Sequence, residues 1–218
     1  MKLKKTNIIL LGIVLLTISV TAGLYSRLPE KMASRWNAKG EVDGYMSKLT
    51  AVWLMPMIMI VVIAVFKLLP KIDPKKENYK KFAPYYDGFI IVFCVFLLSI
   101  QFFMLLWNLG VKLGINAFTA VAVGLLFFYI GILCQHAKRN WFIGIRTPWT
   151  LSSDTVWDKT HKIGGKLFKA AGLVTIGGAF FSDYVLFFII VPVLGVAAFT
   201  LIYSYIEFQR EKNQTSGF

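Results

Sequence analysis

Six long runs of apolar residues constrain this chain more than any other feature of its sequence. They cover residues 7–25, 51–69, 86–107, 117–135, 166–181 and 185–206. A bilayer core is about 30 Å thick, and a helix crosses it with about 20 apolar residues. Hydrophobic residues make up 57% of the 218-residue chain, more than a soluble core of this size could bury. The sequence therefore predicts an all-α, polytopic membrane protein, a bundle of six transmembrane helices.

The first and fifth runs need separate arguments. The first follows a basic start of Lys2, Lys4 and Lys5 but is longer than the apolar region of a signal peptide, and no A-x-A site follows it. We expect an uncleaved helix. The fifth run is the shortest, and only residues 182–184 separate it from the sixth. A tight helical hairpin explains this spacing, with Lys166 and Lys169 reaching the headgroups.

The basic residues are distributed unevenly between the two sides of the predicted bundle. Eighteen Lys and Arg residues fall at the amino terminus, between spans 2 and 3, between spans 4 and 5, and in the tail, against six on the other side. The positive-inside rule therefore predicts that both termini are cytoplasmic. In a soluble protein the net charge of +13 would suggest nucleic acid. Between membrane spans it predicts contact with anionic lipid headgroups instead, and no direct nucleic-acid binding.

This topology divides the chain into two units. Residues 1–69 form an amino-terminal two-helix unit with an extracellular loop at 27–50, called here the outer loop. Residues 70–218 form a four-helix unit whose spans 4 and 5 are joined by a cytoplasmic segment at 136–165, called here the inner connection. The remaining outer turns, 108–116 and 182–184, are too short to form a site alone. We expect function to reside in the outer loop, the inner connection and the bundle between them.

The outer loop is dense in turn-forming residues, including Asn37 and Asp43, which can hydrogen-bond to their own backbone. Trp36 and Tyr45 can reach the membrane interface. Two interpretations remain open from the residues alone: an extracellular face that meets a secreted ligand, or an ordered connector with interfacial aromatics. The acidic residues of the loop match no calcium-binding spacing, so we predict no metal and no cofactor.

The inner connection is too apolar to float in water and too basic to cross the bilayer. Thr147-Pro148 predicts a turn, because the residue before proline avoids helical conformation. Ser152-Ser153-Asp154 predicts the start of a helix. In that helix Trp157, His161 and Gly164 would share one face, and the helix would lead into the fifth span.

The same segment contains the residues most suited to catalysis. The two histidines of the chain, His136 and His161, lie here near Asp154 and Asp158. No HExxH motif, no paired-histidine turn and no nucleophile elbow accompanies them. We therefore predict that the protein is not an enzyme.

Packing within the bundle can also be predicted. Ala171, Thr175 and Ala179 recur at four-residue spacing in the fifth span, and Ala120 and Gly124 offer a similar face in the fourth. Small residues let helices approach closely in lipid. The fifth span is therefore predicted to be central.

Two stretches of this chain resemble a known family. The run Asn140-Trp141-Phe142-Ile143-Gly144-Ile145-Arg146-Thr147-Pro148-Trp149-Thr150-Leu151, with Val156-Trp157, Thr160-His161 and Gly164-Gly165, looks like the signature of SdpI-family membrane proteins. The outer run from Leu28-Pro29 through Trp36-Asn37, Gly40 and Asp43-Gly44 is similar to a small domain of unknown function often fused ahead of it. This outer run has Ala33 and Arg35 where that domain commonly has Pro and His.

The resemblance implies immunity to a secreted antimicrobial peptide of the SdpC kind. For the founding member it also implies signalling, in which the toxin-bound protein holds an ArsR-type repressor at the membrane. The residues alone leave open a small peptide transporter and a membrane-embedded hydrolase using the two histidines. The predicted toxin contacts are Trp36, Asn37, Asp43 and Tyr45. The predicted signature residues are Asn140, Trp141, Gly144, Arg146, Thr147, Pro148, Trp149, Trp157, His161 and Gly164.

Overall fold

The computed structural model describes residues 5–215 and shows an all-α polytopic membrane protein that carries one small β-hairpin. The predicted basic start at Lys2 and Lys4 lies outside the described residues. The helices are α1 (Lys5–Leu24), α2 (Lys48–Ile72), α3 (Lys76–Asn108), α4 (Ile115–His136), α5 (Pro148–Ser152), α6 (Asp154–Gly177) and α7 (Val185–Thr215). The strands are β1 (Lys31–Trp36) and β2 (Val42–Ser47). The end of the bundle that carries the hairpin is called the outer end, and the opposite one the inner end.

Within residues 5–215, five helices are long and apolar enough to cross a membrane: α1, α2, α3, α4 and α7. Helix α6 corresponds to the fifth predicted span. It has 24 residues, which gives a length of about 36 Å. Its first half is the predicted amphipathic helix of the inner connection, and the two continue as one element without a break. The count of six spans and the cytoplasmic position of both termini stay predictions.

The outer loop folds into the hairpin, which the sequence analysis did not predict as strands. β1 and β2 pair antiparallel, from Lys31 opposite Ser47 to Trp36 opposite Val42, with irregular register near Arg35. The hairpin is held on the bundle by Asn108 at the end of α3. Its side chain accepts a hydrogen bond from the Ala33 amide (2.8 Å) and donates one to the Ala33 carbonyl (3.0 Å). The outer loop is therefore an ordered platform above α2 and α3.

Helices α4 and α6 approach each other closely through glycines. A Cβ on Gly124 would lie 2.6 Å from the carbonyl oxygen of Gly172, and one on Gly165 would lie 2.6 Å from that of Gly131. Real Cβ atoms do not come so close to backbone, so only glycine permits this spacing. The structure confirms close packing of α6 through small residues: the predicted Gly124 of α4 is in contact, and the predicted Ala171 and Thr175 of α6 are buried.

Helix α3 begins well before the predicted third span, on the inner side of a kink. Phe82 has non-helical angles of φ −128° and ψ 18°, followed by Pro84. Proline removes a backbone donor and bends helices in this way. The first turns of α3 consequently lie under the bundle, where they contact the inner connection. Residues 73–75, between α2 and α3, are called the α2–α3 corner.

Candidate functional site

The inner connection is folded around the buried side chain of Asn140. Its Nδ2 donates to the carbonyls of Lys138 and Ile143, both at 2.9 Å. Its Oδ1 accepts from the backbone amides of Phe142 (2.9 Å) and Ile143 (2.7 Å). Tyr79 of α3 donates a third bond to this oxygen, at 3.2 Å. One amide side chain therefore satisfies several backbone groups of a non-helical segment that would otherwise be buried without partners.

The α2–α3 corner and the first turn of α3 bind the same segment through further hydrogen bonds. Asp73 is 2% exposed, and its Oδ2 accepts from the Trp141 amide at 2.9 Å. Asn78 donates its side-chain amide to the carbonyl of Arg139 at 2.7 Å. Arg139 in turn pairs with Asp154 at the start of α6, at 2.7 Å. The inner connection is thus tied to α3 and to α6 by charged and polar groups.

His161 lies in the first half of α6 and is 1% exposed. Its Nδ1 lies 2.9 Å from the carbonyl of Trp157, and its Nε2 lies 2.9 Å from the backbone amide of Ile145. A carbonyl only accepts and an amide only donates, so Nδ1 carries the proton and Nε2 is bare. Burial lowers the pKa of His161 to about 4. With both nitrogens bonded to backbone, this neutral imidazole serves to hold the loop.

Gly144 makes that contact possible. Its φ of +112° is outside the range that L side chains readily adopt, and a Cβ there would collide with Nε2 of His161. Gly164, one turn after His161, faces Ile145 of the same loop, and a Cβ there would overlap the Ile145 side chain. Both signature glycines are therefore explained by close approach of the loop to α6.

Trp157 completes the buried face of α6. It is fully buried, stacks on His161 with ring centroids 3.9 Å apart, and donates its indole N–H to the Ala137 carbonyl at 2.8 Å. The predicted sharing of one face by Trp157, His161 and Gly164 is confirmed by their common burial.

The predicted Thr147-Pro148 turn is confirmed as the start of α5. Thr147 caps this helix: its side chain and that of Thr150 each accept the other's backbone amide, in a capping box. Thr147 also donates to Ser204 of α7, at 3.0 Å. Ser153 then caps α6 by accepting from the Val156 amide. The Thr147–Ser204 hydrogen bond thus connects the inner connection to α7.

Of the remaining signature residues, Trp141, Arg146 and Pro148 are exposed, and Trp149 is half-buried. Trp141 is 47% exposed, and its carbonyl accepts from Arg146 at 2.7 Å. Arg146 is exposed, and Trp149 lies on Tyr205 of α7 with centroids 5.1 Å apart. The inner connection therefore has a buried, hydrogen-bonded interior and a surface with exposed tryptophan and arginine.

The predicted toxin contacts separate into two groups on the hairpin. Asp43 and Tyr45 lie on its exposed face, where Asp43 pairs with Arg35 at 2.9 Å. Asn37 forms the tip: its Oδ1 accepts from the amides of Lys39 and Glu41, and Gly40 has a φ of +81°. Asn37 thus has a clear structural role in the turn.

Trp36 faces the bundle instead. Its ring makes edge contacts with Phe103 and Trp107 of α3, with centroids 5.5 and 5.6 Å apart. It borders a groove of about 410 Å³ between the hairpin and the outer ends of α2, α3 and α4. Its buried indole nitrogen has no hydrogen-bond partner among residues 5–215. A buried donor without a partner is unusual in a folded protein, so Trp36 is a candidate for binding a ligand.

The acidic residues of the outer loop are each bonded separately. Glu30 pairs with Lys48 at 3.0 Å, and Glu41 accepts from the Asn37 side chain at 2.9 Å. In the described part of the chain, no three His, Cys, Asp or Glu residues come together as metal ligands would. His136 stacks on Tyr85 with centroids 3.5 Å apart, separately from His161 and its loop.

Sequence reasoning missed several residues of the inner site. Asp73, Asn78 and Tyr79 lie far from the signature in sequence, and nothing local indicates that they contact it. Thr150 lies within the signature run, and the T-P-x-T pattern of residues 147–150 is a signal for its capping role that the sequence offers.

Two regions of the chain match families of known sequence. Residues 136–204, which begin at the inner connection and include α6, match the SdpI/YfhL protein family. This region belongs to that family. Residues 12–60, which include the hairpin, match a domain of unknown function, DUF1648. The chain is similar to Immunity protein SdpI of Bacillus subtilis (strain 168), with 28% identity over 202 residues, 92% of this chain and 95% of that protein. No solved structure matches it.

Proposed function

We propose that this protein confers immunity to a secreted antimicrobial peptide of the SdpC type. The observation that carries the proposal is the similarity to Immunity protein SdpI, which extends over 92% of this chain and is not confined to the signature. A similarity of that extent includes both the hairpin and the inner connection, the two regions with folded polar structure.

The peptide is proposed to bind at the outer end, in the groove beneath the hairpin. Apolar side chains of α2, α3 and α4 form its walls, and the Trp36 ring borders it. The indole N–H is buried without a partner among residues 5–215, and a peptide carbonyl that enters beside the ring would accept from it. Arg35 lies at the rim with its partner Asp43, and Tyr45 is 65% exposed beside them. An amphipathic peptide could bury an apolar face in the groove and place polar groups against this rim.

A signal to a cytoplasmic ArsR-type repressor is proposed to leave through the inner connection. Its exposed Trp141 and Arg146 offer the aromatic and guanidinium groups that dominate protein interfaces. Helices α3 and α4 run from the groove to this segment, so a change in their packing reaches both. The peptide shifts the inner connection only if it binds two arrangements of the bundle with different affinities.

The test of immunity is the survival of a sensitive cell challenged with SDP-type peptide, with this gene or an empty vector. Protection is expected, and it should fall for Trp36→Ala and, through loss of one N–H donor, for Trp36→Phe. Trp53→Phe is the matched control, since Trp53 is an exposed tryptophan of α2 outside the groove. Absence of protection, with the protein shown to be in the membrane, would refute the proposal.

Variants of the hairpin and of the inner connection separate peptide binding from signalling. Tyr45→Ala should reduce protection, whereas Tyr184→Ala, at an exposed tyrosine between α6 and α7, should not. Arg146→Ala should leave peptide binding intact but abolish recruitment of a repressor, measured as membrane association of that repressor upon peptide addition. Recruitment that survives Arg146→Ala and Trp141→Ala together would remove the assigned role of this surface.

A further inference from the structure

A second cavity lies at the inner end of the bundle, away from the groove; it is lined by α1, α2 and α3 and by no signature residue, although Tyr79 in its wall donates a hydrogen bond to Asn140. It has a volume of about 1050 Å³, at the upper limit for small-molecule pockets. One stripe from each of three helices lines it. The α1 residues are Asn7, Leu10, Leu11 and Val14, which share one face of the helix. The other walls come from α2, between Ile60 and Lys71, and from the inner turns of α3.

The charges of this cleft are unbalanced. Four lysines and two acidic residues line it. Both acidic residues are already paired: Asp87 with Lys67 at 3.2 Å, and Glu77 with Lys80. The other two lysines, Lys71 and Lys76, are exposed and have no ion-pair partner among residues 5–215. The cleft therefore has two cationic groups available for an anion.

The deeper part of the cleft is apolar. Leu10 and Val14 of α1 and Ile63 of α2 line it, and Leu11 is 55% exposed along the same stripe. Cationic groups at the mouth and hydrocarbon walls toward the bilayer centre match a phospholipid, which has an anionic phosphate above acyl chains. Basic pockets between transmembrane helices bind anionic headgroups in this manner.

We propose that this cleft binds one anionic phospholipid, with its phosphate at Lys71 and Lys76 and an acyl chain along α1 and α2. This site is separate from the peptide groove, and it stands whether or not the protein gives immunity.

The test is native mass spectrometry of the purified full-length protein, titrated with phosphatidylglycerol. Phosphatidylcholine with the same acyl chains should bind at least tenfold more weakly. Replacing both cations in Lys71→Gln/Lys76→Gln should weaken phosphatidylglycerol binding about 30-fold, as loss of two lysine–headgroup contacts implies. Lys162→Gln/Lys166→Gln removes the same charge from exposed positions of α6 and should change affinity less than twofold.

The apolar wall is tested separately. Leu11→Trp adds bulk at an exposed position of the cleft and should weaken phosphatidylglycerol binding without unfolding the protein, as checked by its unchanged elution on size exclusion. Equal weakening by both lysine pairs would mean diffuse attraction to the surface and would overturn the proposal. Equal affinity for both lipids, or full competition by glycerol 3-phosphate at the lipid's own concentration, would also overturn it.

Discussion

Acidification from pH 7 to pH 5 should destabilise the fold through His161. The imidazole is buried, and its bare Nε2 accepts the Ile145 amide. Protonation of Nε2 would set its new N–H against the Ile145 N–H, so that hydrogen bond would be lost. It would also bury a positive charge away from water. The folded state therefore resists protonation, whereas an unfolded chain does not.

The sign and size follow from the two pKa values. In the folded protein the pKa of His161 is about 4, and in an unfolded chain it is about 6.5. Between these values the unfolded state binds more protons, so stability falls as the pH falls from 6.5 toward 4. From pH 7 to pH 5 the loss in free energy of unfolding is about 2 kcal/mol, and it would lower the melting temperature by about 4–8 °C.

The assay is thermal unfolding of the purified protein in one detergent at pH 7, 6 and 5. His161→Gln should be less stable than the wild type at pH 7, because it loses ring packing against Trp157, but its melting temperature should change little with pH. His136→Gln is the matched control, since it removes the other histidine and should keep the wild-type pH response.

Two results would contradict this reasoning. One is a wild-type melting temperature that stays constant from pH 7 to pH 5. The other is a pH response that disappears in His136→Gln and persists in His161→Gln. Carboxylates contribute little to the comparison, because at pH 5 an ordinary Asp or Glu is still mostly ionised.

Other substitutions test packing, the loop and topology. Gly131→Ala should destabilise the protein by about 2–4 kcal/mol in thermal or denaturant unfolding, because its Cβ meets the backbone of α6, whereas Gly177→Ala, with open space around it, should be neutral or stabilising. Asn140→Ala should cost about 3–5 kcal/mol by the same measurement, since it orphans several buried backbone groups. Asn140→Asp should also destabilise the protein, because a buried carboxylate oxygen cannot donate to the carbonyls of Lys138 and Ile143. For topology, Ser182→Cys should react with an impermeant maleimide added to whole cells and Lys162→Cys should not; the reverse pattern would contradict the predicted orientation.

Hydropathy was sufficient to predict five helices that are long and apolar enough to span a membrane, because burial in lipid requires apolar residues around the whole helix. Local signals also predicted the turn at Thr147-Pro148 and the start of α6 near Ser153. Both depend on side chain-to-backbone hydrogen bonds within a few residues, so the sequence contains all their determinants.

The hairpin and the interior of the inner connection were beyond such reasoning. Residues 31–36 show little alternation of polar and apolar side chains. The register near Arg35 is irregular, so this strand does not require a strict two-residue period. The roles of Asp73 and Tyr79 depend on contacts with residues more than 60 positions away. A polar residue that will be buried by distant partners has no local pattern to distinguish it from a solvated one.

The Asp73–Trp141 hydrogen bond has a consequence for how this protein can be divided or recombined. Asp73, Asn78 and Tyr79 lie between the two matched regions, 12–60 and 136–204, yet they supply hydrogen bonds to the second. A chimera that takes this chain only from residue 136 onward would contain the inner connection but not Asp73, Asn78 and Tyr79, which hold it in place. The smallest piece that can be exchanged between relatives with its inner loop intact therefore begins at about Asp73, well upstream of the conventional boundary.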